Sequence, residues 1–367
     1  MNLDSSKLLS RRISFKSAIL LFLLICYVAF TFAVFFESVV PSLDRGTTSE
    51  DFAVDSTVYI YMADSLREGR NDPWVLGSLL FFPNTTWTPV FISLILHSAL
   101  LVMLANYAMF IFAVTLLKRA FPISLGTFVG LLLLNPTTTT SLLCVNKEII
   151  DLVVFSIFLY ARGKRNRGLL LIALALALMN RYETCIVMIV FLFAMSRLNP
   201  LREKRWMTLF LLVGLLNFAM PLLGSQVLEK RFEEAEYAGV IRALDMLQLH
   251  YLYFIAVIPK VADNLFGQLP NPQVWKSPSS WLYINFFNNI SYAILLLVNL
   301  MKRRLTLRSD FIYFGAIGSV LIAQSLVVQP RYFYFVYILL CLEAAQKKSR
   351  SSSLAPSPIR QPELQHA

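Results

Sequence analysis

Apolar residues along this chain come in long unbroken runs punctuated by short polar and basic stretches, without the two-residue alternation of a half-buried strand. Ten runs stand out: Ser17 to Val40, Pro89 to Leu117, Pro122 to Leu143, Glu148 to Ala161, Gly168 to Asn180, Glu183 to Ser196, Trp206 to Leu228, Trp281 to Met301, Phe311 to Val328 and Arg331 to Ala345. About 20 apolar residues at a rise of 1.5 Å cross a hydrocarbon layer, and inside lipid each backbone N–H and C=O must be paired within its own segment. Each run is therefore predicted as a helix, and the chain as an all-α polytopic membrane protein with about ten transmembrane helices. The first run follows Lys7, Arg11, Arg12 and Lys16, exceeds a signal-peptide core in length and lacks a small-residue cleavage site, so it reads as an uncleaved helix.

Charge then orients the helices. Basic clusters lie at Lys7 to Lys16, at Lys118 and Arg119, at Arg162 to Arg167, at Arg197 to Arg205, at Lys302 to Arg308 and at Lys347 to Arg350. With an even number of crossings all of them share one side, which the positive-inside rule makes cytoplasmic, so both termini are expected inside. Gly168 to Asn180 and Glu183 to Ser196 are short and flanked by basic loops, which predicts a hairpin with Asn180, Arg181, Tyr182 and Glu183 at its outer tip. Residues 1–346 are expected to form a single membrane domain of an inner (plasma) membrane. Its first outer loop spans 41–88, and its second, 229–280, carries an amphipathic helix that dips toward the bilayer. Residues 347–367 read as a low-complexity, disordered cytoplasmic tail.

Composition strengthens this picture. The 367 residues are 57% hydrophobic and 15% charged, with a mean hydropathy of +0.63, far from a soluble domain. A net charge of +11 would suggest nucleic acid in a soluble protein, but here the topology accounts for the basic clusters, and no nucleic-acid partner is expected. Cys26, Cys144, Cys185 and Cys341 all fall in apolar runs without metal or redox spacing, and His97, His250 and His366 are scattered. Of two glycosylation sequons, at Asn84 and Asn289, the second opens an apolar run where no glycan fits.

Three groups of residues can carry chemistry. Asp51 and Asp55 stand at i, i+4 in a stretch with Tyr59 and Asp64 that reads as a helix close to the membrane. Two carboxylates that close raise one another's pKa or hold a divalent cation, although a solvated acidic helix has the same pattern. Asn146, Lys147, Glu148 and Asp151 form the second group. Ionisable residues at membrane depth cost roughly 2.5 to 3.5 kcal/mol each, which points to function or a mutual ion pair, with interfacial snorkelling as the alternative for Lys147 and Glu148. The third group is Arg181 and Glu183, with Arg331, Tyr332, Tyr334 and Tyr337; an arginine fork suits phosphate at the bilayer surface, and an aromatic interfacial anchor is the alternative.

In this layout the chain resembles the GT-C class of polyprenyl-phosphate-sugar glycosyltransferases and the related bacterial polysaccharide polymerases. Asp55, Tyr59 and Ala63 stand as the acidic motif of the first outer loop, with Asp51 as an accompanying acid. Lys147-Glu148 stands at the outer end of a middle helix, Arg181 after a short helix, and Arg331-Tyr332 at the start of the last one. Two departures are Asp55-Ser56 in place of an adjacent acidic pair and the lack of an appended soluble domain. The resemblance implies an outer-face site that transfers sugar from a polyprenyl-phosphate-linked donor to a glycan or lipid acceptor. Asp55 and Asp51 would be catalytic, and Lys147, Glu148, Arg181, Arg331 and Tyr332 would bind substrate phosphate. A divalent cation (Mg or Mn) would be held by Asp51, Asp55 and Glu148. Three other readings remain: a Wzy-type polymerase relying on arginines, a transporter or lipid flippase with broken helices near the midplane, and a purely structural membrane subunit of an assembly.

Overall fold

The computed structural model describes residues 54–81, 83–96, 99–233, 240–267, 269–270, 280–324 and 330–347. Among them the fold is all-helical, with one isolated bridge between Ile123 and Gln346. The helices are α1 (Val54–Arg67), α2 (Pro73–Phe81), α3 (Pro83–Ile95), α4 (Ala99–Ala120), α5 (Leu125–Leu133), α6 (Pro136–Leu143), α7 (Lys147–Gly163), α8 (Arg167–Asn180), α9 (Tyr182–Met195), α10 (Arg205–Glu233), α11 (Val240–Leu249), α12 (Tyr253–Phe266), α13 (Ser280–Met301), α14 (Asp310–Ala323) and α15 (Tyr334–Ala345), with a 3-10 turn at Pro330–Phe333. Two segments, Leu100–Ala120 and Leu282–Met301, are long and apolar enough to cross a membrane. The run Ser17 to Val40 and the tail 348–367 lie outside the described residues.

Two expected helices change form. Pro122 to Leu143 is not one helix, because Pro136 has no N–H to donate and holds Asn135 in an extended conformation at φ −86°, ψ 120°. α5 therefore ends at Leu133 and α6 restarts at Pro136, with the Asn135 side chain accepting from Thr137 N at 2.9 Å as an N-cap. Pro89 to Leu117 likewise divides between α3 and α4. The segment expected as a second outer loop contributes α11 and α12, which pack against α10, α13 and α14.

Hydrogen bonds and ion pairs sort the helix ends into two layers. In one layer, Asp310 pairs with Arg162 at 2.8 Å and Arg205 at 2.6 Å, Ser309 donates to Glu343, and Ser124 N donates to Ala345 O at 2.8 Å. The other layer holds Lys147, Glu148, Asn180, Arg181 and Tyr332. Lys147 and Arg162, at the two ends of α7, are roughly 22 Å apart at 1.5 Å per residue.

Between the layers, the core stacks Phe191 on Phe314 with centroids at 4.0 Å, and Phe155 on Phe335 at 5.4 Å. The helix faces turned away from this core are apolar too: Leu104, Ile111, Leu171, Ile189, Phe210, Leu215 and Leu297 are exposed, while Asn106, Asn135, Asn217, Asn288 and Asn299 are buried. An apolar exterior around a core that also buries several asparagines departs from the distribution of a water-soluble domain.

Candidate functional site

The geometry centres on the junction of α8 and α9. α8 ends at Asn180 and α9 begins at Tyr182, leaving Arg181 as the single residue between two antiparallel helices, with φ −152° and ψ 112°. That turn aims its guanidinium at the first turns of α7. Arg181 Nη2 donates to Glu148 Oε1 at 2.5 Å, and Nη1 lies 3.3 Å from Asp151 Oδ2. Glu148 and Asp151 stand at i, i+3 on one face of α7 and so receive the same fork. Asn180 Nδ2 donates to Asp151 Oδ1 at 2.8 Å and to Lys147 O at 3.2 Å, closing α8 onto α7.

All three charged groups are buried, Glu148 to 0% exposure, Asp151 to 3% and Arg181 to 8%. Breaking one member out of a buried ion cluster costs about 3–5 kcal/mol, because the partners stay desolvated. Glu148 Oε2 and Asn180 Oδ1 are buried acceptors with no hydrogen-bond partner among the described residues, so the cluster keeps unused acceptor capacity. Thr138 and Tyr334 hydroxyls meet at 2.9 Å in the adjoining interior.

Half-exposed cations surround this buried centre. The Arg181 guanidinium sits 5.5 Å from the Tyr332 ring centroid, and that of Arg331 sits 5.6 Å from the same ring. Lys147 Nζ lies 5.6 Å from the ring of Tyr59, on α1. Tyr59 stands one turn beyond Asp55 in the sequence of that helix. The Asp55 side chain and all of Asp51 lie outside what is described.

Five residues singled out in the sequence, Lys147, Glu148, Arg181, Arg331 and Tyr332, thus converge at one end of the bundle. Their partition differs from expectation, however. Arg181 is engaged by two carboxylates, while Lys147 and Arg331 lie half-buried against the rings of Tyr59 and Tyr332. Tyr334 and Tyr337 do not form an interfacial belt: both are buried, and Tyr337 donates to Leu131 O at 2.6 Å. Asn180 was legible only as a polar residue at the hairpin tip.

Of the expected divalent-cation set, Glu148 gives its Oε1 to Arg181, whereas Asp51 and the Asp55 side chain lie outside the described residues. No three His, Cys, Asp or Glu side chains gather in a metal-binding arrangement among the described residues. At the far end of α1, Tyr61 donates to Asp72 Oδ2 at 2.8 Å, and Asp72 Oδ1 accepts from Trp74 N at 2.9 Å. The Tyr61 phenol, then the Trp74 amide, hold the Asp72 carboxyl below its usual value and fix the turn into α2.

A second buried polar network was missed in the sequence. Lys260 on α12 pairs with Asp245 on α11 at 2.5 Å and donates to Gln248 at 2.5 Å; Gln248 donates to Gln324 O at 2.8 Å. Its only sequence signal is a lysine in the apolar stretch after Pro259. No known protein family matches the chain, and no curated protein or solved structure does either.

Proposed function

We propose that this chain is a polytopic membrane protein of about ten crossings with both termini in the cytoplasm. In this reading it acts as a GT-C-like glycosyltransferase that moves a sugar from a polyprenyl-phosphate-linked donor to a glycan or lipid acceptor at the outer face. The observation that carries this reading is the meeting of Lys147, Arg331-Tyr332 and the Asp55-bearing helix α1 around the buried Arg181 cluster. The apolar exterior supports the membrane part, and α7 sets its two charged layers roughly 22 Å apart, within a hydrocarbon core of about 30 Å.

Asp55 takes the proton of the acceptor hydroxyl as that oxygen bonds to the anomeric carbon of the sugar. The bond from that carbon to the phosphate oxygen breaks, and Lys147 and Arg331 stabilise the charge left on the phosphate. Glu148 and Asp151 act through Arg181, which holds the Tyr332 ring and with it the start of the last helix.

Asp55→Asn and Arg331→Ala, made singly in the native host at matched membrane levels, test the reading by mass spectrometry of surface glycans and lipid-linked sugars. Loss of a glycan with build-up of its polyprenyl-linked donor is expected in both. Tolerance of Asp55→Asn with loss in Arg331→Ala would favour the arginine-dependent polymerase. Unchanged glycans and carriers in both, alongside a phenotype on deletion, would favour transport. One observation speaks for that second reading: the helix break at Asn135-Pro136 sits in a polar interior, where Asn135 Nδ2 donates to Ser291 Oγ at 3.1 Å and Thr137 Oγ1 to Asn288 Oδ1 at 3.0 Å.

A further inference from the structure

The buried network of Asp245, Lys260, Gln248 and Gln324 has a position that the Arg181 cluster does not explain. α12 is tied to α10, α11, α13 and α14 by polar bonds. Tyr253 N donates to Asn217 Oδ1 of α10 at 2.7 Å, the Tyr253 hydroxyl donates to Val320 O of α14, and Asn289 Nδ2 of α13 donates to Asn264 O at 3.2 Å. Lys260 and Gln248 complete the set toward α11 and the C-terminal cap of α14. The 3-10 turn Pro330–Phe333 packs on this assembly, touching both α12 and α13, with Phe333 fully buried beneath it. In that turn the Tyr332 ring meets the Arg181 guanidinium, and Arg331 lies against the same ring.

We infer that Asp245, Lys260 and Gln248 are positioning residues, which hold α12 as the platform that sets Arg331 and Tyr332 over the site. A buried ion pair is a poor source of stability, since apolar residues of similar volume often replace one at no loss. Its effect is directional: Lys260 has one carboxylate and one amide oxygen in reach, which fixes the register of α12 against α11 and α14 more narrowly than apolar contact does. The consequence for catalysis rests on the phosphate role proposed for Arg331, whereas the positioning itself does not.

The test uses the full chain in detergent micelles and in liposomes. Lys260→Met alone strands the Asp245 carboxylate and is expected to fold poorly, so the informative variant is the apolar pair Lys260→Met with Asp245→Leu. Amide exchange at residues 331–333 should speed up about tenfold in that variant, while exchange around Arg162, Arg205 and Asp310 stays as in the native protein. Turnover is read with the lipid-linked sugar fraction extracted from host membranes, for the apolar pair, for Arg331→Ala and for the combination. If the network acts through Arg331, the combined variant loses no more than Arg331→Ala alone.

Unchanged exchange at 331–333, or losses that multiply in the combined variant, would overturn the inference. Faster exchange at 331–333 with full turnover in Arg331→Ala would uphold the positioning and reject the phosphate role.

Discussion

The two ends of the bundle are built from the same ingredients in opposite proportion. At one end, a single guanidinium, Arg181, is shared by two carboxylates, Glu148 and Asp151, in full burial. At the other, a single carboxylate, Asp310, is shared by two guanidinium groups, Arg162 and Arg205, with water in reach of all three. Those two arginines also lie over aromatic faces, Arg162 4.8 Å from the Phe191 centroid and Arg205 5.0 Å from that of Tyr313. The difference teaches what each end is for. A half-exposed arrangement with excess positive charge pins three helices cheaply and matches the basic side of a membrane protein. A buried arrangement with excess negative charge is costly to maintain, and beside two half-exposed cations it is the end at which the proposed chemistry is placed.

Arg181→Ala breaks the comparison most severely, since it leaves two buried carboxylates uncompensated. A loss of about 3–5 kcal/mol is expected, read as a lowered thermal unfolding midpoint in detergent and reduced membrane levels. Replacing all three members with apolar residues should restore folding while abolishing turnover, which separates the structural from the functional part of the cluster.

Midway between the ends, Gly318 on α14 faces α15, and an added Cβ would overlap the Phe335 ring and come within 3.1 Å of Val187 Cγ1. Gly318→Ala should cost about 1–3 kcal/mol by overpacking and leave the contrast between the ends intact. Smallest of all is Asp310→Asn, expected to cost about 1 kcal/mol or less because solvent screens the pair, with a difference from the native protein that shrinks further in high salt. A loss there as large as that of Arg181→Ala would erase the distinction drawn between the ends.

Much of this was legible in the sequence, and what escaped did so for definite reasons. Uninterrupted apolar runs predict helices because a segment apolar on all sides can pair its own backbone in lipid only as a helix, a barrel strand being alternately apolar and polar, and α7, α8, α9, α13, α14 and α15 fall where the runs lie. Lys147, Glu148, Arg181 and Arg331 could be singled out because a charge in an apolar run demands an explanation. What sequence could not say is which of them satisfy one another: Arg181 reads as a phosphate ligand until Glu148 and Asp151, 33 and 30 positions away, are found on its fork. The Asn135-Pro136 break was visible as a proline but outweighed by the apolar residues on both sides. Asp245 and Lys260 escaped because their stretch is acidic and amphipathic overall, the pattern of a surface helix, and only tertiary packing buries it.

In the proposed function, chemistry belongs to the Lys147 and Arg331 end of the bundle and not to the Asp310 end. Lipid-linked sugars profiled by mass spectrometry in Lys147→Ala and Asp310→Asn, at equal membrane levels in the native host, test it most directly. A polyprenyl-linked donor that accumulates in Lys147→Ala while Asp310→Asn matches the native profile is the predicted result. Accumulation in both variants, or in neither, would contradict it.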